Sequence, residues 1–469
     1  MKRRLQKAGI ILNILLVILA AGYLGRTGYL KQKNEGTKQT TAQADGQKAE
    51  ADKEQEAGAR SDLQTEYDTI LEKCQKEFIS NRPIDENFLA WFHSKYGDET
   101  LKKVADEVEK ENQDPDLWYT LTGNTMQVLW VYYCQDTGYQ SELLENIYDK
   151  ECAGEETVLD FTGDINLSEG WSTTVFMDRQ PNGIYDCLSS DLMLELQSAD
   201  ILLINNEFTY SNRGTPLAGK AYTFRAAPSR VEVLQQLGAD IVSLANNHVY
   251  DYGEEAFQDS LKYLKEYDIP YVGAGTNIEE AKRAFYYIAG GYKISFISAS
   301  RAEKNIITPG ATSTSSGVFR CYDNELLINT IKEEKEKSDY VILLIHWGKE
   351  DSHELEEVML KTSKEYVDAG ADLVVGSHAH LLQGMEFYKD KLIAYNLGDF
   401  IFNRETKDTG ILNVNILNDG SMTYDFIPCI QKDYKTSILS DNDRLRVLNN
   451  MDNYSINAIF NTDGSIRER

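Results

Sequence analysis

The chain has 469 residues, with 48 Lys+Arg against 75 Asp+Glu, a formal charge of −27, and 42% apolar residues. That apolar share suffices for a packed core and excludes wholesale disorder. The acidic balance excludes nucleic acid as a partner and docking on anionic lipid through a basic patch, and six cysteines without CxxC spacing exclude a disulfide scaffold or a zinc cluster.

The chain opens with a basic tail at 1–7 carrying Lys2, Arg3, Arg4 and Lys7. Eighteen residues without a charge follow, Ala8 to Gly25. As a helix they cover about 27 Å, close to the hydrocarbon core of a bilayer. The denser basic cluster precedes the span, so the expected topology is a single-pass membrane anchor at 8–25 with the large domain extracellular. A cleaved signal peptide is the rival reading, with Ala20-Ala21-Gly22 as small residues near its end. Residues 26–60 are polar and low in large apolar side chains, the composition of a flexible linker.

Helical spacing begins near residue 61. Leu63, Tyr67, Ile70, Leu71 and Cys74 recur at three and four, followed by Phe88, Trp91, Phe92, then Leu101, Val104, Val108. Residues 61–153 read as a small helical module, with its one histidine, His93, structural. From 154 to 430 the pattern changes to apolar runs alternating with amphipathic stretches, the signature of a layered α/β domain. The strands expected are 157–162, 200–204, 240–244, 271–272, 293–298, 340–345, 372–375 and 392–395. Helices are expected at 231–237 and 254–267, and Asn418-Asp419-Gly420 joins a hairpin. The C-terminal extension, 431–469, is polar and carries no clear element signal.

Polar residues follow directly on these strands: Asp164, Glu207, Asn247, His248, His346, His378 and His380. In open α/β sheets the carboxyl ends of strands form the ligand crevice, so four of the six histidines are expected at one edge. Imidazoles with carboxylates suit manganese, zinc or iron(II) rather than calcium or magnesium. The set is large enough for two divalent ions sharing one carboxylate. Gly163 and Gly376 are read as turn glycines. Singly, each motif has a plainer reading, as a strand-end cap, a turn or an Asx loop; their joint occurrence, with a His-x-His pair, favours a metal site. His353, in the acidic run Glu350–Glu357, reads as a surface residue of a helix.

Phe161-Thr-Gly-Asp-Ile-Asn-Leu167, Asn205-Asn-Glu207, Ala245-Asn-Asn-His-Val-Tyr-Asp-Tyr-Gly253, His346-Trp-Gly348, Gly376-Ser-His-Ala-His380 and Asn396-Leu-Gly-Asp-Phe-Ile-Phe402 occur in this order. Together they resemble the CapA family of poly-γ-glutamate capsule biosynthesis proteins over about residues 155–430. The resemblance implies a calcineurin-like metallophosphoesterase sandwich. It implies Asp164, Glu207, Asn247, His346, His378 and His380 as metal ligands, Glu207 bridging, and His248 as the acid beside the leaving group. Three positions depart from the pattern of such phosphoesterases: Asn166 stands for a ligand histidine, Asn206 for an apolar residue and Asp399 for an asparagine.

Two functions follow as expectations. One is metal-dependent hydrolase or transferase chemistry, on a phosphoester or an amide, in handling an anionic polymer such as poly-γ-glutamate. The other is a non-catalytic assembly, export or polymer-binding subunit of a membrane synthase. The ectodomain's negative charge repels such a polymer at long range, and a bound divalent ion would supply local positive charge. His248 favours chemistry, because a pure binding site needs no proton donor there.

Overall fold

The computed structural model describes residues 64–72, 84–110, 114, 116–139, 144–303 and 307–469. The expected basic tail at 1–7, anchor at 8–25 and linker at 26–60 lie outside them. Among the described residues no helix is long and apolar enough to cross a membrane. Of the unit Met1–Glu66 only residues 64–66 are described, and they are helical; the second unit is Tyr67–Arg469.

Two sheets carry this unit. The first runs Ile147–Lys150, Phe285–Ala289, Tyr292–Ser300, Tyr340–His346, Leu373–Ser377, Lys391–Leu397, Leu382–Tyr388 from edge to edge. Its four strands from Tyr292–Ser300 to Lys391–Leu397 are parallel. The second runs Ala458–Phe460, Ser465–Glu468, Met422–Lys432, Lys407–Ile416, Thr157–Ile165, Ile201–Asn206, Ile241–Ser243, Tyr271–Val272. Its last four are parallel, and Asp399–Ile401 lies alongside Thr157–Ile165, also parallel.

The apolar runs are nearly continuous because both faces of each sheet are covered. Along Ile201–Asn206, Ile201 and Leu203 enter the core between the sheets, with Leu159, Phe296, Ile342 and Val375. Leu202 and Ile204 point the other way, onto Leu196, Leu234 and Phe257 of flanking helices. On the far sheet Val341, Leu343 and Ile345 meet Ile331 and Tyr366 in the same manner. The result is the expected layered α/β sandwich, with helices outside two facing sheets.

The helix Val231–Leu237 has the expected bounds, and the next spans Glu254–Glu266. The hairpin is longer than expected, Lys407–Ile416 with Met422–Lys432. The C-terminal residues, which carried no clear element signal, form the helix Asp441–Tyr454 and three short strands of the second sheet, Lys435–Ile438, Ala458–Phe460 and Ser465–Glu468. Val447, Leu448 and Met451 of that helix join the core between the sheets. His353 is exposed as expected, but 350–356 is not helical; the helix starts at Glu357, and His353 stacks on Tyr454.

The stretch Glu86–Val108 is two helices joined at a kink, where Gly97 takes φ 81°. Phe88 lies among Trp91, Phe92, Trp118, Trp130 and Tyr133, with ring centroids 5.5–6.3 Å away. This aromatic segment reaches the first sheet through Tyr119 stacked on Tyr292 and through Thr125 Oγ1 donating to Asp339 at 2.7 Å. His93 meets Asp98 at the surface. Among the described residues Cys152, Cys187, Cys321 and Cys429 form no disulfide.

Candidate metal centre

Strand register decides which polar residues meet. Asp164 stands opposite Asn205 on one neighbouring strand and opposite Asp399 on the other. A register shift between Phe161 and Asp164 bends the strand there, as bulges beside sites commonly do. On the facing sheet His346 stands opposite Ser377, and the chain turns at once into His378 and His380. Both histidines take positive φ, 97° and 58°, a conformation side chains rarely adopt unless their surroundings hold them in it. Gly163 and Gly376 serve close backbone approach rather than turns: a Cβ on either would lie 1.9 Å from the carbonyl oxygen of Gly398 or Tyr395.

Every expected ligand arrives at this edge, in two groups. In the first, Glu207, His346 and His378 each bring one ligand atom within 4.8 Å of the others. His346 Nε2 lies 3.6 Å from Glu207 Oε1 and 2.7 Å from Asn247 Oδ1, and its Nδ1 contacts Ser377 Oγ at 2.7 Å. Glu207 Oε1 and His378 Nδ1 are buried with no hydrogen-bond partner. Each such orphan costs about 1–3 kcal/mol, and a carboxylate oxygen and an imidazole nitrogen left bare within one ligand group fit a cation. Burial drives both His346 and His378 well below the usual imidazole range, helped by neighbouring histidines. They are therefore neutral, as ligands must be. Burial pushes Glu207 up to about 7.

The second group is Asp164, His380 and Asp399. His380 Nδ1 lies 2.7 Å from Asp399 and 3.7 Å from Asp164. Burial lowers the affinity of His380 for its proton, but Asp399, Glu207 and Asp164 outweigh it and raise its pKa to about 10. Asp164 is itself pushed well up, by burial and then by Glu207. Asn205 donates to Asp164 at 2.7 Å, and Lys407 contacts Asp399 at 3.0 Å. In the sequence Asp399 is marked only as a departure from the phosphoesterase pattern, and nothing there singles out Asn205 or Lys407 for a role.

His248 sits beside the first group, its Nε2 3.9 Å from Glu207 Oε1. Its Nδ1 contacts Asp251 at 2.6 Å. Asp251 is fully buried and also accepts from Lys220 and the Phe224 N–H, both at 2.7 Å. Lys220 in turn bonds the Asn247 carbonyl. Asn246 caps the loop, accepting from the N–H groups of His248 and Val249. Asp251 had a signal, an acid three residues after the histidine; Lys220 had none.

The side-chain oxygens of the other two departures are held by their neighbours along the chain. Asn166 Oδ1 is taken by the backbone and hydroxyl of Ser168. Asn206 pairs with Tyr210 and the Phe208 carbonyl.

Residues 158–404 match the family described as bacterial capsule synthesis protein PGA_cap. Among similar curated proteins is the capsule biosynthesis protein CapA of Bacillus anthracis, 31% identical over 49% of this chain and 57% of that one. Another is the PGA biosynthesis protein CapA of Bacillus subtilis, 28% identical over 48% and 59%. A third, named "Probable polyglutamine synthesis accessory protein", from Mycobacterium tuberculosis, is 27% identical over 45% and 58%. The chain thus matches a little over half the length of each of these relatives.

Proposed function

The chain belongs to the bacterial capsule synthesis protein family PGA_cap, and from that premise we propose that it acts on an anionic capsule polymer of the poly-γ-glutamate type. In this reading it is a metal-dependent hydrolase or transferase, anchored by residues 8–25 with the sandwich outside the cell beside synthase subunits. The observation that carries the chemistry is His248, aimed at the Glu207 group and fixed from behind by Asp251.

Glu207, His346, His378 and Asn247 would hold a divalent ion, for which manganese, zinc and iron(II) suit the imidazole and carboxylate donors. Such an ion polarises a carbonyl or phosphoryl oxygen and lowers the pKa of water. The protein residues do the rest. Asp251 accepts from one ring nitrogen of His248, which fixes the ring and leaves Nε2 facing the cleft. Lys220 neutralises Asp251 in its buried position. From Nε2 a proton can pass to the oxygen or nitrogen that leaves.

The test measures metal content and polymer together in His248→Ala. General acid catalysis by one side chain is worth about 10²–10⁴-fold. The variant should keep its metal and fold while polymer processing falls by that factor. Wild-type polymer at matched protein level would refute the catalytic reading and leave an assembly or binding role.

A further inference from the structure

The two ligand groups at the cleft differ in what already satisfies them. In the group of Asp164, His380 and Asp399 all four carboxylate oxygens have donors. Asn205 Nδ2 donates to Asp164 Oδ1 at 2.7 Å, and the His378 N–H donates to Asp164 Oδ2 at 3.1 Å. His380 Nδ1 meets Asp399 Oδ1 at 2.7 Å. Asp399 Oδ2 accepts from Asn403 Nδ2 at 3.2 Å and from Lys407 Nζ at 3.0 Å. None of these oxygens is left bare, whereas the neighbouring group leaves Glu207 Oε1 and His378 Nδ1 without partners.

Lys407 is built into this place. Its side chain is only 10% exposed and is held also by Asp351 at 3.5 Å and Glu405 at 3.4 Å. It begins the strand Lys407–Ile416, and its backbone is registered against Gln431. An ammonium on Asp399 supplies the positive charge that a cation would otherwise bring and repels a second cation beside it. The nearby Asn166, whose oxygen is engaged by Ser168, adds no ligand.

We propose that Lys407 takes the place of the second metal ion, so that the cleft holds a single ion, at Glu207, His346 and His378. The inference rests on the metal-site reading above and narrows it from up to two ions to one. The lysine is a positioning residue: it keeps Asp399 paired with His380 and the second group closed to metal.

The test is elemental analysis of the full chain, purified, loaded with manganese or zinc alone and dialysed. Wild type should retain about one equivalent, as an open set of buried donors does. Lys407→Met keeps the stem, removes the charge and should raise the content to about two equivalents. Lys407→Arg keeps the charge and should stay with wild type. Thermal melting of each variant establishes that it is folded. Two equivalents in wild type would overturn the inference while leaving the metal site standing. A folded Lys407→Met that still holds the wild-type amount would also overturn it. No metal in wild type would remove the metal reading itself, and the inference with it.

Discussion

Two buried regions of this protein have opposite energetics. The aromatic segment of the helical module buries Phe88, Phe92 and Trp118 with their ring faces and edges matched; burial there is favourable by itself. The cleft buries Asp164, Glu207, Asp251 and Asp399, all at 0% exposure, beside the neutral imidazoles of His346 and His378. Burial there is a cost that the surrounding sheets sustain. The first region stabilises the fold; the second draws on that stability to hold groups in the states a ligand needs.

The sharpest break between the two would come from Phe88→Ala. Losing a fully buried phenyl among five other rings should cost about 3–5 kcal/mol, read as a lower denaturation midpoint. Metal content of the folded fraction should not change; a variant that loses its metal while folded would mean that the module supports the cleft.

His378→Ala is the converse. Removing a direct ligand should weaken metal affinity by more than the roughly 10–100-fold typical of a supporting residue. Metal-free stability should change by about 1 kcal/mol or less, because the orphaned nitrogen goes with the ring's packing. Calorimetric titration with manganese and a melt of the metal-free chain separate the two quantities. Unchanged affinity would reject the Glu207 group as a site.

Asp160 tests whether a buried acid outside the cleft behaves as those inside do. It lies on Thr157–Ile165, one oxygen accepting from Asn413 at 2.8 Å and the other bare. Burial pushes its carboxyl up to about 7. The folded state therefore keeps a proton that the unfolded state releases near pH 4, so stability falls as pH rises from about 4 to about 7. Asp160→Asn should be more stable than wild type by about 1–3 kcal/mol above pH 7 and equal to it below pH 4. Equal urea midpoints at pH 8 would contradict this.

The smallest effect is expected where the module meets the sheet. Thr125 accepts from the Val128 N–H and donates to Asp339. Thr125→Val should cost about 1 kcal/mol, read as a drop in melting temperature that leaves metal content alone.

Both regions were partly legible in the sequence, for different reasons. The layered sandwich follows from apolar runs alternating with amphipathic helices, since a strand covered on both faces must be apolar throughout. Asp164, Glu207, Asn247, His346, His378 and His380 were found because they end such strands. The module's helices followed from three-and-four spacing, although Gly97 as the kink of Glu86–Val108 did not. The C-terminal helix was missed because only Val447, Leu448 and Met451 of its fourteen residues are buried, too few to mark a period.

By itself the sequence determined the element types, the order of the motifs and the chemistry available at the strand ends, because these depend on local composition and period. The tertiary structure alone decided how those groups are paired. Whether Asn205 or Asn206 faces Asp164 depends on the register beside a bend in the strand, and a one-residue slip reverses it. Asp399 and Lys407 meet across eight residues of chain only because Asp399–Ile401 lies against Thr157–Ile165 and Lys407–Ile416 follows it into the same sheet. Burial, which makes His346 and His378 neutral while Asp399 keeps His380 charged, arises only when the two sheets close over these residues.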